Sequence, residues 1–213
     1  MPSDRSTHSL FRSRLVRGSV LALALVGLLA TSVSAATTQV GATDARRFNP
    51  SSVNQAVGGS VHWAGTPVGS AEEHSVHQDA GIFDSGDPTT GLNFTRTFSA
   101  GTFAYHCEKH GDQGMVGTVR VPPQTLGAPA GLPFTVKWAA AGTNTGNRFA
   151  VQYRVGSGRF KTWFANTSAR SAVFGAGNRP VRLARGKTYA FRVSSGLGAN
   201  RSAISPVKAF RVR

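Results

Sequence analysis

After residue 35 no stretch of the chain sustains the 3.6-residue apolar period of a helix. What recurs is short alternation. "SVHWAG", "GTFAYHC" and "GTVRV" lie before residue 122, and "FTVKW", "RFAVQYRVG", "RFKTWF" and "KTYAFRV" after it, each bounded by Gly, Pro, Asn or Ser. A run of this kind pairs with neighbours as a strand, with one apolar and one polar face. The pattern constrains the chain to an all-β fold. Its lengths and spacings predict two β-sandwiches of Greek-key type. The faces are readable too. Val61 and Trp63 share one side of their strand and His62 takes the other. Phe103, Tyr105 and Cys107 share a buried side, with Ala104 and His106 facing out.

Charge divides the same chain. Residues 36–121 carry five Lys/Arg and eight Asp/Glu, whereas residues 122–213 carry fifteen Lys/Arg and no acid. A step this abrupt marks a domain boundary. It coincides with "VPPQTLGAPAGLP", Val121 to Pro133, a semi-extended stretch that cannot continue a sheet interior. The expected organisation is therefore a first domain over 36–121, a linker over 122–132 and a second domain over 133–213. Residues 1–35 read as a secretory signal peptide, with Arg12, Arg14 and Arg17 before an uncharged run from Gly18 to Thr31 and small residues at Val33 to Ala35. That run is shorter than the ~20 residues a membrane span needs. The mature protein is expected to be secreted, or held at the cell envelope.

Cys107 is the chain's sole cysteine, and Met115 its sole methionine besides Met1. A secreted protein with an unpaired cysteine points to intermolecular pairing or a dedicated chemical role. Here the cysteine stands in "YHCEKHGDQGMVG", in the order C-x-x-H-x-x-x-x-M with His110 and Met115. Gly111 and Gly114 let the chain turn back toward the next strand. The loop gathers a thiol, an imidazole and a thioether, a set that suits copper. Two histidines, one cysteine and a weak axial methionine make the blue-copper arrangement, so a second histidine is required. "EEHSVHQD" supplies His74, with His77 as competitor on the opposite face of the same run. Zn(II) is the other metal to consider, but a thioether gives it little.

These residues also carry a family likeness. Phe48 to Val121 resembles a plastocyanin-like cupredoxin, a blue type-1 copper protein. The likeness lies in the opening "FNPSSVNQAVGGSVHWAG", in "HSV", in "FDSG", and in "FSAGTFAYHCEKHGDQGMVGTVRV". The resemblance implies that His74, Cys107, His110 and Met115 are the four ligands of one copper ion. It implies one-electron transfer rather than enzymatic catalysis. It also implies an electron port at the ring edge of His110, exposed among Gly111, Gly114 and Val116. The residue after the first histidine is often Asn in that family and is Ser75 here. Glu108, Lys109 and Asp112 put charges in or beside the loop, and carboxylates there favour Cu(II).

Gly131 to Arg213 resembles a fibronectin type III domain, through "FTVKW", "VQYRVGSGRFKTW" and "LARGKTYAFRV". In the last of these, Leu183 and Gly186 precede Tyr189 as in a tyrosine corner. No catalytic constellation appears in it. Fifteen cations without an anion attract polyanions. An anionic cell-wall polymer or a membrane surface is the expected partner, beside an unidentified redox protein. Nucleic acid is disfavoured because the aromatics fit core positions. A solvated face that only aids solubility, or docking on an acidic partner, explains the same charge. Copper handling without electron transfer, and extracellular adhesion, are the other readings of the whole chain.

Overall fold

The computed structural model describes residues 36–127, 133–177 and 179–213, and all of the regular structure there is strand apart from one 3-10 turn. Residues 1–35, read from the sequence as a signal peptide, lie outside the described residues. The first half runs β1 (Thr37–Thr43), β2 (Arg47–Asn49), β3 (Ser52–Asn54), β4 (Ser60–Thr66), β5 (His77–Gln78), β6 (Asn93–Thr97), β7 (Gly101–His106) and β8 (Val116–Val121). One sheet has the order β2-β1-β4-β6 and the other β3-β8-β7-β5. Two pairings are parallel, β1 with β4 and β3 with β8. The alternation expected of β4 and β7 is present: Val61, Trp63, Phe103 and Tyr105 are buried, while His62, Ala104 and His106 are half-buried on the other side.

The sheets close on an aromatic core. Trp63 meets Tyr105 edge-on at 5.3 Å, and Phe98 meets Phe103 likewise at 5.1 Å. Such contacts add roughly 0.5–1.5 kcal/mol beyond the area they bury. Burial pushes the Tyr105 phenol up to about 12, only partly opposed by the Trp63 indole, so the ring enters the core uncharged. Gly117 faces Tyr105 across the β7–β8 ladder, and a β-carbon there would collide with the phenol ring. The glycine therefore makes room for the tyrosine two residues before Cys107.

The second half runs β9 (Gln124–Leu126), β10 (Phe134–Lys137), β11 (Arg148–Val155), β12 (Lys161–Thr167), β13 (Ser171–Phe174), β14 (Thr188–Leu197), β15 (Asn200–Arg201) and β16 (Lys208–Arg211). Its sheets are β13-β10-β9 and β12-β11-β14-β15, with β16 also paired to β14. Trp138, Phe149, Trp163, Phe174, Tyr189 and Phe191 fill the space between them. The Tyr189 hydroxyl donates to the Arg182 carbonyl at 3.3 Å and accepts from the Ala184 amide at 2.9 Å, tying the strand start to the loop before it. Strand β9 falls in the stretch read as a linker. It pairs with β10 as an edge strand, the one sheet position where preceding prolines cost no ladder bond.

A polar seam joins the halves. The Ser99 hydroxyl donates to Ser195 at 2.8 Å, and Ser195 donates on to the Ala100 carbonyl at 2.6 Å. The Ser99 amide donates to Thr145 at 2.9 Å and the Ala100 amide to the Trp138 carbonyl at 2.7 Å. Thr102 and Ala203 exchange both backbone bonds, at 3.0 and 3.1 Å. Ser99, Thr145 and Ser195 are fully buried, so these hydrogen bonds satisfy groups that water cannot reach.

Candidate metal centre

Strand β7 ends at His106 and hands the chain to a loop that closes on itself. The His110 amide donates to the Cys107 carbonyl at 3.2 Å, the Met115 amide to the His110 carbonyl at 3.0 Å, and the Cys107 amide to the Met115 carbonyl at 3.1 Å. Between them lies the 3-10 turn Gly111–Gln113, ended by Gly114 at φ 85°, a left-handed conformation that glycine adopts without strain. Met115 then leads into β8 with its side chain fully buried.

The loop meets a segment from elsewhere in the chain. His74 pairs its backbone with Thr89 in both directions, at 2.9 and 3.0 Å, and its ring is fully buried. His74, Cys107 and His110 each offer one donor atom, and these atoms all lie within 4.8 Å of one another. The Cys107 sulfur is 3.7 Å from Nδ1 of His110. Both ring nitrogens of His74 are buried without a hydrogen-bond partner. A buried polar atom left unpaired costs roughly 1–3 kcal/mol. Burial, then the neighbouring His110, holds His74 below the usual imidazole range, and burial with Arg46 does the same for His110. Neutral rings keep a lone pair, the form in which imidazole binds metals. One sulfur and two such nitrogens around a buried centre fit a single ion of borderline or soft character.

Ser75 stands at the junction of the two segments. Its amide points at the Cys107 sulfur at 3.5 Å, and its hydroxyl accepts from the Glu108 amide at 3.0 Å. A side chain as short as serine thus bridges the two loops. Glu108 is turned toward Ser75 and toward His77, 3.7 Å away. Lys109 is paired with Glu73 at 2.8 Å. His77 belongs to a separate, partly exposed group with Asp84 and Glu108, its Nδ1 3.0 Å from Asp84.

One expectation fails. The ring of His110 is not at the surface: the residue is 2 % exposed. Glu72 covers it, with Oε2 3.5 Å from Nε2 of His110. Arg46 holds Glu72 at 3.3 Å and Gln113 at 2.9 Å. Sequence reading missed both Glu72 and Arg46. The only local sign was the pair "EE" just before His74, which alternation alone does not direct inward.

A scan against models of protein families finds no match, and no curated protein matches the chain. Among solved structures the chain is similar to cupredoxins. A mutant amicyanin in its Cu(I) form is 26% identical, over 40% of this chain and 81% of that one, with a TM-score of 0.34. A pseudoazurin from Sinorhizobium meliltoi is 21% identical, over 40% of this chain and 73% of that one, with a TM-score of 0.30. A mutant fern plastocyanin is 20% identical, over 39% of this chain and 99% of that one, with a TM-score of 0.33.

Proposed function

We propose that this protein is a secreted type-1 copper protein, in which His74, Cys107, His110 and Met115 hold one copper ion for one-electron transfer. The observation that carries the reading is His74. It is fully buried, with neither ring nitrogen paired, within reach of a thiol and a second neutral imidazole. A core histidine kept for packing would have found a partner. Copper bound there supplies a Cu(I)/Cu(II) couple.

The chain's own residues would keep the donors in place and water out. The Cys107 and Met115 backbones are bonded to each other, and Ser75 links the Cys107 segment to the His74 segment. Aromatic packing around Tyr105 and Trp63 fixes the strand that delivers the cysteine. Such rigidity suits a centre that must serve two oxidation states with little rearrangement. The second half, read as a fibronectin type III-like module, would tether or steer the protein through its unbalanced positive charge toward an anionic wall polymer or membrane surface.

The test is to load the mature protein with Cu(II) and record its visible absorption. A strong thiolate-to-copper band, absent from Cys107→Ser, is the expected result, and a colourless protein would sink the reading. A second reading, copper handling without electron exchange, draws on the cover over His110, since a ring only 2 % exposed offers a docked partner little edge. Slow electron self-exchange together with fast copper transfer to a chelator would favour it.

A further inference from the structure

The carboxylate over His110 needs a reason. Glu72 could pair fully with Arg46 at the surface, yet one of its oxygens is turned inward to Nε2 of a ring that is almost entirely buried. Arg46 itself sits at φ 56°, a left-handed conformation uncommon outside glycine. Its guanidinium reaches from there to Glu72 and to Gln113 of the turn that follows His110. Arg47 adds a bond to the Gln113 carbonyl at 2.9 Å. The β1–β2 turn is thus clamped to the loop, with Glu72 held between them. The neighbouring Glu73 carries the same charge but points to Lys109 instead.

A neutral imidazole has one N–H and one lone pair, and its surroundings choose which nitrogen bears which. A carboxylate beside Nε2 favours the hydrogen there, leaving the lone pair on Nδ1. Nδ1 is the nitrogen that faces the Cys107 sulfur at 3.7 Å.

We propose that Glu72 is a positioning residue of the metal centre: held by Arg46, its carboxylate selects the Nε2–H tautomer of His110, directs Nδ1 toward Cys107, and closes the ring edge against water. Carboxylate–imidazole pairs behind a metal-ligating histidine typically change metal affinity 10–100-fold when broken. Glu72 serves the centre without offering it a donor atom.

Two measurements test this, on the full mature protein. In the metal-free protein, nitrogen NMR of the His110 ring should report the Nε2–H tautomer, and Glu72→Ala should shift it toward a mixture. This arm stands whether or not the centre takes copper. The second arm rests on the copper reading: Cu(II) affinity, measured by competition with a chelator, should fall roughly tenfold or more in Glu72→Ala, with partial recovery in Glu72→Gln. Glu73→Ala is the control for bare charge and should leave both readouts unchanged. An unaltered tautomer in Glu72→Ala, or an equal effect from Glu73→Ala, would overturn the proposal. A wild-type protein that shows the tautomer but forms no thiolate-copper band would overturn the copper reading and leave the positioning role standing.

Discussion

The two halves of the molecule are built alike and charged differently. Each encloses an aromatic core between two sheets, around Trp63 in one and around Trp138 and Trp163 in the other. Among the described residues both ion pairs between a Lys or Arg and a carboxylate, Arg46–Glu72 and Lys109–Glu73, lie in the first half. The second half has no acid to pair with and lodges its cations against rings and carbonyls. Arg192 and Arg154 lie 4.0 and 4.9 Å from the Phe160 ring, and Arg179 donates to the Trp163 carbonyl at 2.9 Å. The cores therefore say nothing about what either half does. In the first half the informative groups are few, buried and converging. In the second they are many, outward and dispersed. One is a site and the other a field, and they should respond to different perturbations.

The sharpest separation should come from Cys107→Ser. It is expected to remove the thiolate-to-copper band entirely while leaving retention on an anionic surface at its wild-type level, as read by absorption and by binding to anionic vesicles. Trp138→Ala should do the opposite. Emptying that core position is expected to cost about 3–5 kcal/mol in denaturant unfolding, with the band position unmoved in protein that remains folded. A third comparison uses salt. Raising ionic strength from low to about 0.15 M should weaken vesicle binding by roughly tenfold, about 1.4 kcal/mol. The buried donors sit beyond the reach of that screening, so the absorption band should stay constant. The smallest effect tests whether the halves are separate at all. Ser195→Ala removes the donor to the Ala100 carbonyl, while Ser99 keeps Thr145 at 3.2 Å. A loss of about 1 kcal/mol is expected, at the low end for a stranded buried group. Two unfolding transitions already present in the wild-type protein would break the seam's claim to couple the halves.

What was legible in the sequence was local. Alternation placed Trp63, Phe103 and Tyr105 inside because a strand's faces follow from parity alone. The loop from Cys107 through His110 to Met115 is local in the same sense: a closed set of backbone bonds fixes three neighbours wherever the rest of the chain lies. What escaped was non-local. Glu72 covers His110 because a turn between β1 and β2 carries Arg46 across to it, and nothing near His110 records that contact. From sequence Glu108 is a bare charge in the loop; in the fold its carboxylate is engaged by Ser75 and His77. Strand β9 was hidden by composition, since prolines suit an edge strand as well as a linker.

The seam between the halves has a geometric consequence. Ser99 and Ala100, its central residues, lead directly into β7, and β7 delivers Cys107. Few residues thus separate the point where the basic half grips from the point where the donors converge. Were the basic half to lie on a charged surface, the donor end would be aimed at a set angle and height above it. A redox protein moving along the same surface would then meet it by a search in two dimensions, already oriented, instead of by tumbling in three.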